Sequence, residues 1–142
     1  RKNLLHLKQK YPFYLLDPMF SDEPGHKWWS KKLKTLILEF GYKKIANTLF
    51  CIEFFPYHSI KYKFNNDILV SQKYNFYLLK QAINRNALII IMRSKKIWFK
   101  YVPELKNSNY VELNSPQNPC VTKNNLPRGY DKLIEYIKTS SR

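Results

Sequence analysis

Ala87-Leu88-Ile89-Ile90-Ile91-Met92 is an uninterrupted aliphatic run, closed on its far side by Arg93. A run of this kind reads as a strand in the middle of a parallel sheet, where both faces are covered. Working outward, Ser94 stands where a helix cap belongs, and Ile97, Trp98, Tyr101 and Val102 share one face of the helix that follows. Pro103 weakens or ends that helix, because proline has no N–H to give it. Tyr110 to Leu113 reads as a further short strand. Upstream, Ser71 caps a helix running to about Asn84, with apolar residues on more than one side.

Further out, the same alternation continues. Thr48 to Phe55 is rich in β-formers and reads as a buried strand. Trp28 to Phe40 reads as a helix, since Trp29, Leu33, Leu36, Ile37 and Phe40 recur at helical spacing, and Gly41 sits where a glycine cap belongs. Lys31, Lys32 and Lys34 are then expected on its solvated face. Residues 1–10 suggest a short basic helix and residues 11–24, with three prolines, a packed extended loop. Asn114 to Arg128 is a long polar loop, and Leu133, Ile134 and Ile137 mark a closing helix.

Strands alternating with helices imply right-handed crossovers. The expected fold is therefore α/β: a three-layer α/β/α sandwich with a short, mainly parallel sheet. Its 142 residues suit one domain, 1–142. Three strands make a thin sheet, so one more strand and its loop are expected ahead of Arg1.

Charge narrows the function. Lys and Arg number 25 against 10 Asp and Glu, a formal net charge of +15. Such a surplus points to a polyanion, because cations release counterions from a phosphate backbone. The expected partner is nucleic acid, DNA in the first instance. No apolar run approaches the ~20 residues that cross a bilayer, so no membrane partner is expected. Two cysteines, Cys51 and Cys120, provide neither a disulfide framework nor a zinc set, which suits a cytoplasmic setting. Cys51 reads as core and Cys120 as an ordinary loop thiol. No cofactor and no metal are expected.

Open α/β sheets bind ligands beyond the carboxyl ends of their strands. Three segments fall there. The first holds Tyr57, His58, Lys61 and Lys63; the second Arg93, Lys95 and Lys96; the third Asn114, Ser115, Gln117 and Asn118, leading to Lys123. Aromatics stack bases while Lys and Arg follow phosphates, and the helix opening at Ser94 offers N–H donors. His58 either serves as an acid–base group or fixes its own loop. Glu53 interrupts an apolar stretch near its carboxyl end, so it either meets an internal cation or points into a site. His6 and His26 read as structural.

The run Asn114-Ser115-Pro116-Gln117-Asn118-Pro119 resembles the His-Pro-Ser-Pro-Arg-Asn-Pro stretch of uracil-DNA glycosylases, especially the single-strand-selective monofunctional type. Phe50-Cys51-Ile52-Glu53-Phe54-Phe55-Pro56-Tyr57 is similar to that family's strand ending in Asn-x-Cys-Pro-Leu, with Glu53 in the place of a base-reading Asn. The resemblance implies the three-layer fold, base flipping and hydrolysis of a base N-glycosidic bond. It also implies that Glu53 reads the base edge and that the loop 114–119 lies in the minor groove. Leu113 stands where the family keeps its histidine, which makes Asn114 the remaining donor there. A carboxylate at position 53 suits a base edge that offers donors, such as cytosine or adenine. The catalytic set expected is thus Glu53, His58 and Asn114. Two other readings stand beside it: a non-catalytic module of the same fold that holds nucleic acid or an acidic protein, and a small-molecule enzyme using His58 and Glu53 as an acid–base pair.

Overall fold

The computed structural model describes Leu5, residues 7–55 and residues 68–140. Among the described residues the protein is mixed helix and strand, 54% helical and 5% strand, so the sheet is a minor component there. In chain order the elements are α1 (Pro24–Lys32), α2 (Lys34–Thr48), α3 (Val70–Asn84), β1 (Ile89–Ile91), α4 (Lys95–Tyr101), β2 (Tyr110–Glu112) and α5 (Tyr130–Thr139), with 3-10 turns at Tyr14–Leu16, Pro18–Phe20 and Pro103–Asn107. The chain divides into two compact units, residues 1–51 with 112–142, and residues 52–111.

In the first unit α1, α2 and α5 carry the packing. Pro24 opens α1 at the position where a missing N–H costs nothing. Leu33, at φ −107° and ψ 14°, separates α1 from α2. The expected single helix across this stretch is therefore two. Gly41 interrupts α2 with φ 77° and ψ 157°, a region open in practice only to glycine, but it is not the terminal cap expected, since helix resumes beyond it to Thr48. Leu16, Leu33, Leu36, Ile45, Leu126 and Ile137 are fully buried. Phe13 meets Trp29 edge-on at 5.0 Å, and its N–H donates to the carbonyl of Ala46 at 3.2 Å. His26, expected to be structural, is buried and stacks on Tyr42 at 5.4 Å. At the far end of α2, Lys44 donates to the Ser140 carbonyl.

The second unit holds the sheet. β1 and β2 pair in parallel, with α4 and the turn Pro103–Asn107 in the crossover between them. Ile89 and Ile91, two residues apart, lie on one face of β1. On that face Ile91 clusters with Leu79 of α3 and with Val102 and Leu105, and Phe76, Ile83, Trp98 and Phe99 close around them. Phe76 and Tyr101 stack at 5.6 Å, which joins α3 to α4.

Four expected features differ. Thr48 to Phe55 is not a strand: α2 runs through Thr48, and no strand forms over residues 49–55. The carbonyls a ladder would use are taken by side chains of α3. Asn75 donates to the Glu53 carbonyl at 2.6 Å, and the fully buried Gln72 donates to that of Phe54 at 3.0 Å. Ser71 does not cap α3; the helix begins at Val70, and Gln72 caps it by accepting from the N–H of Leu69 at 2.9 Å. Ser94 precedes α4 in the left-handed region, φ 57°, without a capping bond from its side chain, and α4 itself has only seven residues. The basic helix expected over residues 1–10 is absent from residues 7–10, and its other residues except Leu5 lie outside those described.

Candidate nucleic-acid interface

Lys32 is the residue on which the polar loop of the first unit is built. The expectation that it lies on a solvated helix face is overturned, since it is only 8% exposed. Its position explains this. Trp28 and Trp29 precede it by four and three residues, so helical spacing carries Lys32 onto the same side as the tryptophans. The ammonium lies 5.6 Å from the Trp28 ring centroid, near the negative ring face that attracts a cation. It donates to Oδ1 of Asn118 at 2.9 Å and lies 3.9 Å from Sγ of Cys120. Below it, the N–H of Val121 donates to the Lys32 carbonyl at 2.8 Å. One lysine thus ties α1 to the loop through both its side chain and its backbone.

Asn125 holds the same loop from the other side. Its Oδ1 accepts from the N–H of Ser115 at 2.7 Å, and its Nδ2 donates to the carbonyl of Cys120 at 2.8 Å. Its carbonyl accepts from the N–H of Asn114 at 2.8 Å. Asn114 in turn donates from Nδ2 to the carbonyl of Asn124 at 3.2 Å. The loop has no regular element between β2 and α5, and side-chain amides of Asn114 and Asn125 bond several of its backbone groups.

The loop closes around an open concavity of about 470 Å³. The residues that line it are Asn114, Asn118, Asn124 and Asn125, Ser115 and Thr122, and Cys120, none of them charged. Cys120, expected to be an ordinary loop thiol, lies 3.4 Å from Asn118 Oδ1. Gln117 is exposed on the same loop. Lys123 pairs with Asp131 at 3.2 Å, both well exposed, an arrangement worth little by itself. Leu113, at the position of the glycosylase histidine, is 5% exposed and belongs to the core. Such a surface can donate and accept many hydrogen bonds, but it holds no acid–base pair.

The other candidates fall elsewhere. Glu53 is exposed in the second unit and not buried in a strand, so the cost of a buried carboxylate does not apply to it. Arg93 and Lys96 are exposed, while Lys95 is half-buried with its ammonium 5.8 Å from the Phe99 ring. Tyr57, His58, Lys61 and Lys63 lie outside the described residues. Among the described residues, no three His, Cys, Asp or Glu side chains gather in a way that would hold a metal ion, and no helix is long and apolar enough to cross a membrane. Sequence reasoning missed Lys32 and Asn125. The tryptophan spacing signals the first; nothing local signals the second, whose partners come from residues 114–122.

No protein-family model matches the chain, and neither a curated protein nor a solved structure does.

Proposed function

We propose that this protein is a nucleic-acid-binding domain and that its ligand is DNA, held at the loop between Leu113 and Asn125. The observation that carries the proposal is the concavity lined by uncharged Asn, Ser, Thr and Cys residues and tied to the buried ammonium of Lys32, in a chain whose net charge is +15. Amides and hydroxyls serve phosphate, sugar and base edges alike, while the excess of Lys and Arg supplies the attraction to the backbone. The likeness to uracil-DNA glycosylases belongs to this proposal, together with their three-layer sandwich. Its support is the run Asn114–Pro119 and the parallel pair β1–β2 with a helical crossover. Hydrolysis of a base N-glycosidic bond is the activity that likeness would add, with Asn114 as donor to the departing base.

A second reading is favoured by Leu113. Stabilising a leaving base anion takes a polar donor aimed at it, and a buried leucine provides none. That observation supports a module that binds nucleic acid, or an acidic partner, without releasing a base.

The test pairs affinity with base release. Asn124→Ala with Ser115→Ala should weaken binding of labelled DNA several-fold while leaving the thermal midpoint nearly unchanged, since both side chains are exposed on the lining of the concavity. Unaltered affinity would contradict the assignment of the loop. Parent protein that releases uracil, cytosine or adenine from labelled strands supports the enzyme; parent protein that releases no base from them supports the binding module instead.

A further inference from the structure

We infer that the outward face of α3 is a stacking platform for single-stranded nucleic acid, separate from the loop of the first unit. The inner side of α3 is fully committed: Gln72 is buried, Leu79 belongs to the core cluster, and Phe76 and Ile83 pack against it. Among the described residues the opposite side is left open. Val70 is 82% exposed, Tyr74 36% and Tyr77 56%, and Lys73 and Lys80 are exposed beside them. Helical spacing puts residues 70, 73, 74, 77 and 80 in one stripe.

The two tyrosines are not scattered surface rings. Their centroids are 6.3 Å apart and their planes only 22° from parallel. Two nearly parallel, exposed rings offer flat π-faces at successive steps along the helix, which suits bases unstacked from a strand. A contiguous exposed apolar and aromatic patch of this kind marks an interaction surface.

Charge selects the occupant. α3 contains two lysines and no acidic residue. Lys80 is held by Glu104 at 2.8 Å at one end of the stripe. Among the described residues Lys73, at the other end next to Tyr74, has no ion-pair partner, and it is placed to meet a phosphate while the rings take the bases. A polyanion with flat apolar groups fits this combination. The inference rests on the nucleic-acid reading of the chain, but on a different unit and on different residues.

The test uses a fluorescein-labelled oligothymidylate and a duplex of the same length, with three proteins: the parent, Tyr74→Ala with Tyr77→Ala, and Tyr74→Phe with Tyr77→Phe. The alanine pair should bind the single strand about five-fold or more weakly, with its salt dependence unchanged, because stacking carries no counterion. The phenylalanine pair should bind as the parent does, since stacking needs the ring and not the hydroxyl. Duplex binding should stay within about two-fold of the parent in all three. Alanine variants that bind the single strand as tightly as the parent would overturn the platform while leaving the loop assignment standing. So would sedimentation showing that they lose self-association instead, which would make the face a contact between copies. A parent protein that binds neither probe would overturn the nucleic-acid reading itself.

Discussion

An ammonium drawn out of water needs acceptors, and Lys32 finds one in Asn118 Oδ1 and a soft neighbour in the Trp28 ring. Removing that charge while keeping the stem isolates its role. Lys32→Met should cost about 1–3 kcal/mol, the worth of a hydrogen bond to a charged group. It should also speed hydrogen exchange at the amides of Asn114 and Ser115, whose loop it releases; unchanged exchange there would contradict the anchoring role. Gly41 makes a backbone argument instead. A Cβ at that position would meet no atom within 4 Å, so space is not the issue, but φ 77° and ψ 157° strain any other residue. Gly41→Ala should destabilise by about 1–3 kcal/mol in urea unfolding, and a neutral result would contradict the strain. The glycine was legible as a break in a clear helical pattern, though not as one with helix resuming beyond it. Lys32 was legible only by weighing the tryptophan spacing above the habit of lysines to face water. Asn125 was not legible, because its role is written in contacts across ten residues of irregular chain.

Among the elements, the sheet and its crossover follow from pattern. Among the described residues only Ile89–Ile91 of the run 87–92 form β1, in a two-stranded sheet and not in the middle of a larger one, while the amphipathic stretch after Ser94 became α4, which stops at Tyr101 ahead of Pro103. The failure at 48–55 has a physical cause. A short apolar run does not by itself specify a strand, and here two side-chain amides of α3 bond the backbone carbonyls of Glu53 and Phe54. Phe54 is then the hinge of the second unit, meeting Phe55, Phe76, Trp98 and Tyr101 within 4.9–5.6 Å. Phe54→Ala should cost about 3–5 kcal/mol, and a loss below ~1 kcal/mol would show that this segment does not pack as described. The link between α3 and the turn Pro103–Asn107 also responds to pH. The Lys80 ammonium, by hydrogen bonding first, holds the Glu104 carboxyl below its ordinary value of 4.5. A carboxyl lowered on folding binds fewer protons in the native state, so its stabilisation is full above that value and disappears as pH falls through the lowered one. The difference in stability between the parent and Glu104→Gln should therefore vanish in acid, and a difference that persists there would contradict the ion pair.

For the whole molecule, charge is the property the sequence states most directly, and the one least dependent on which strand forms where. Twenty-five cations against ten acidic groups give a field that favours polyanions at either unit. The concavity of the loop adds hydrogen-bonding groups to that field, and the α3 tyrosines add flat surfaces; neither could be placed from sequence, since each depends on tertiary neighbours. The most direct measurement is the affinity of the parent protein for a labelled DNA strand as a function of salt. The account predicts that log K falls linearly with log of salt concentration, with a slope near −0.7 for each phosphate contacted on a single strand. Binding that does not weaken as salt rises, or no binding at low salt, would contradict it.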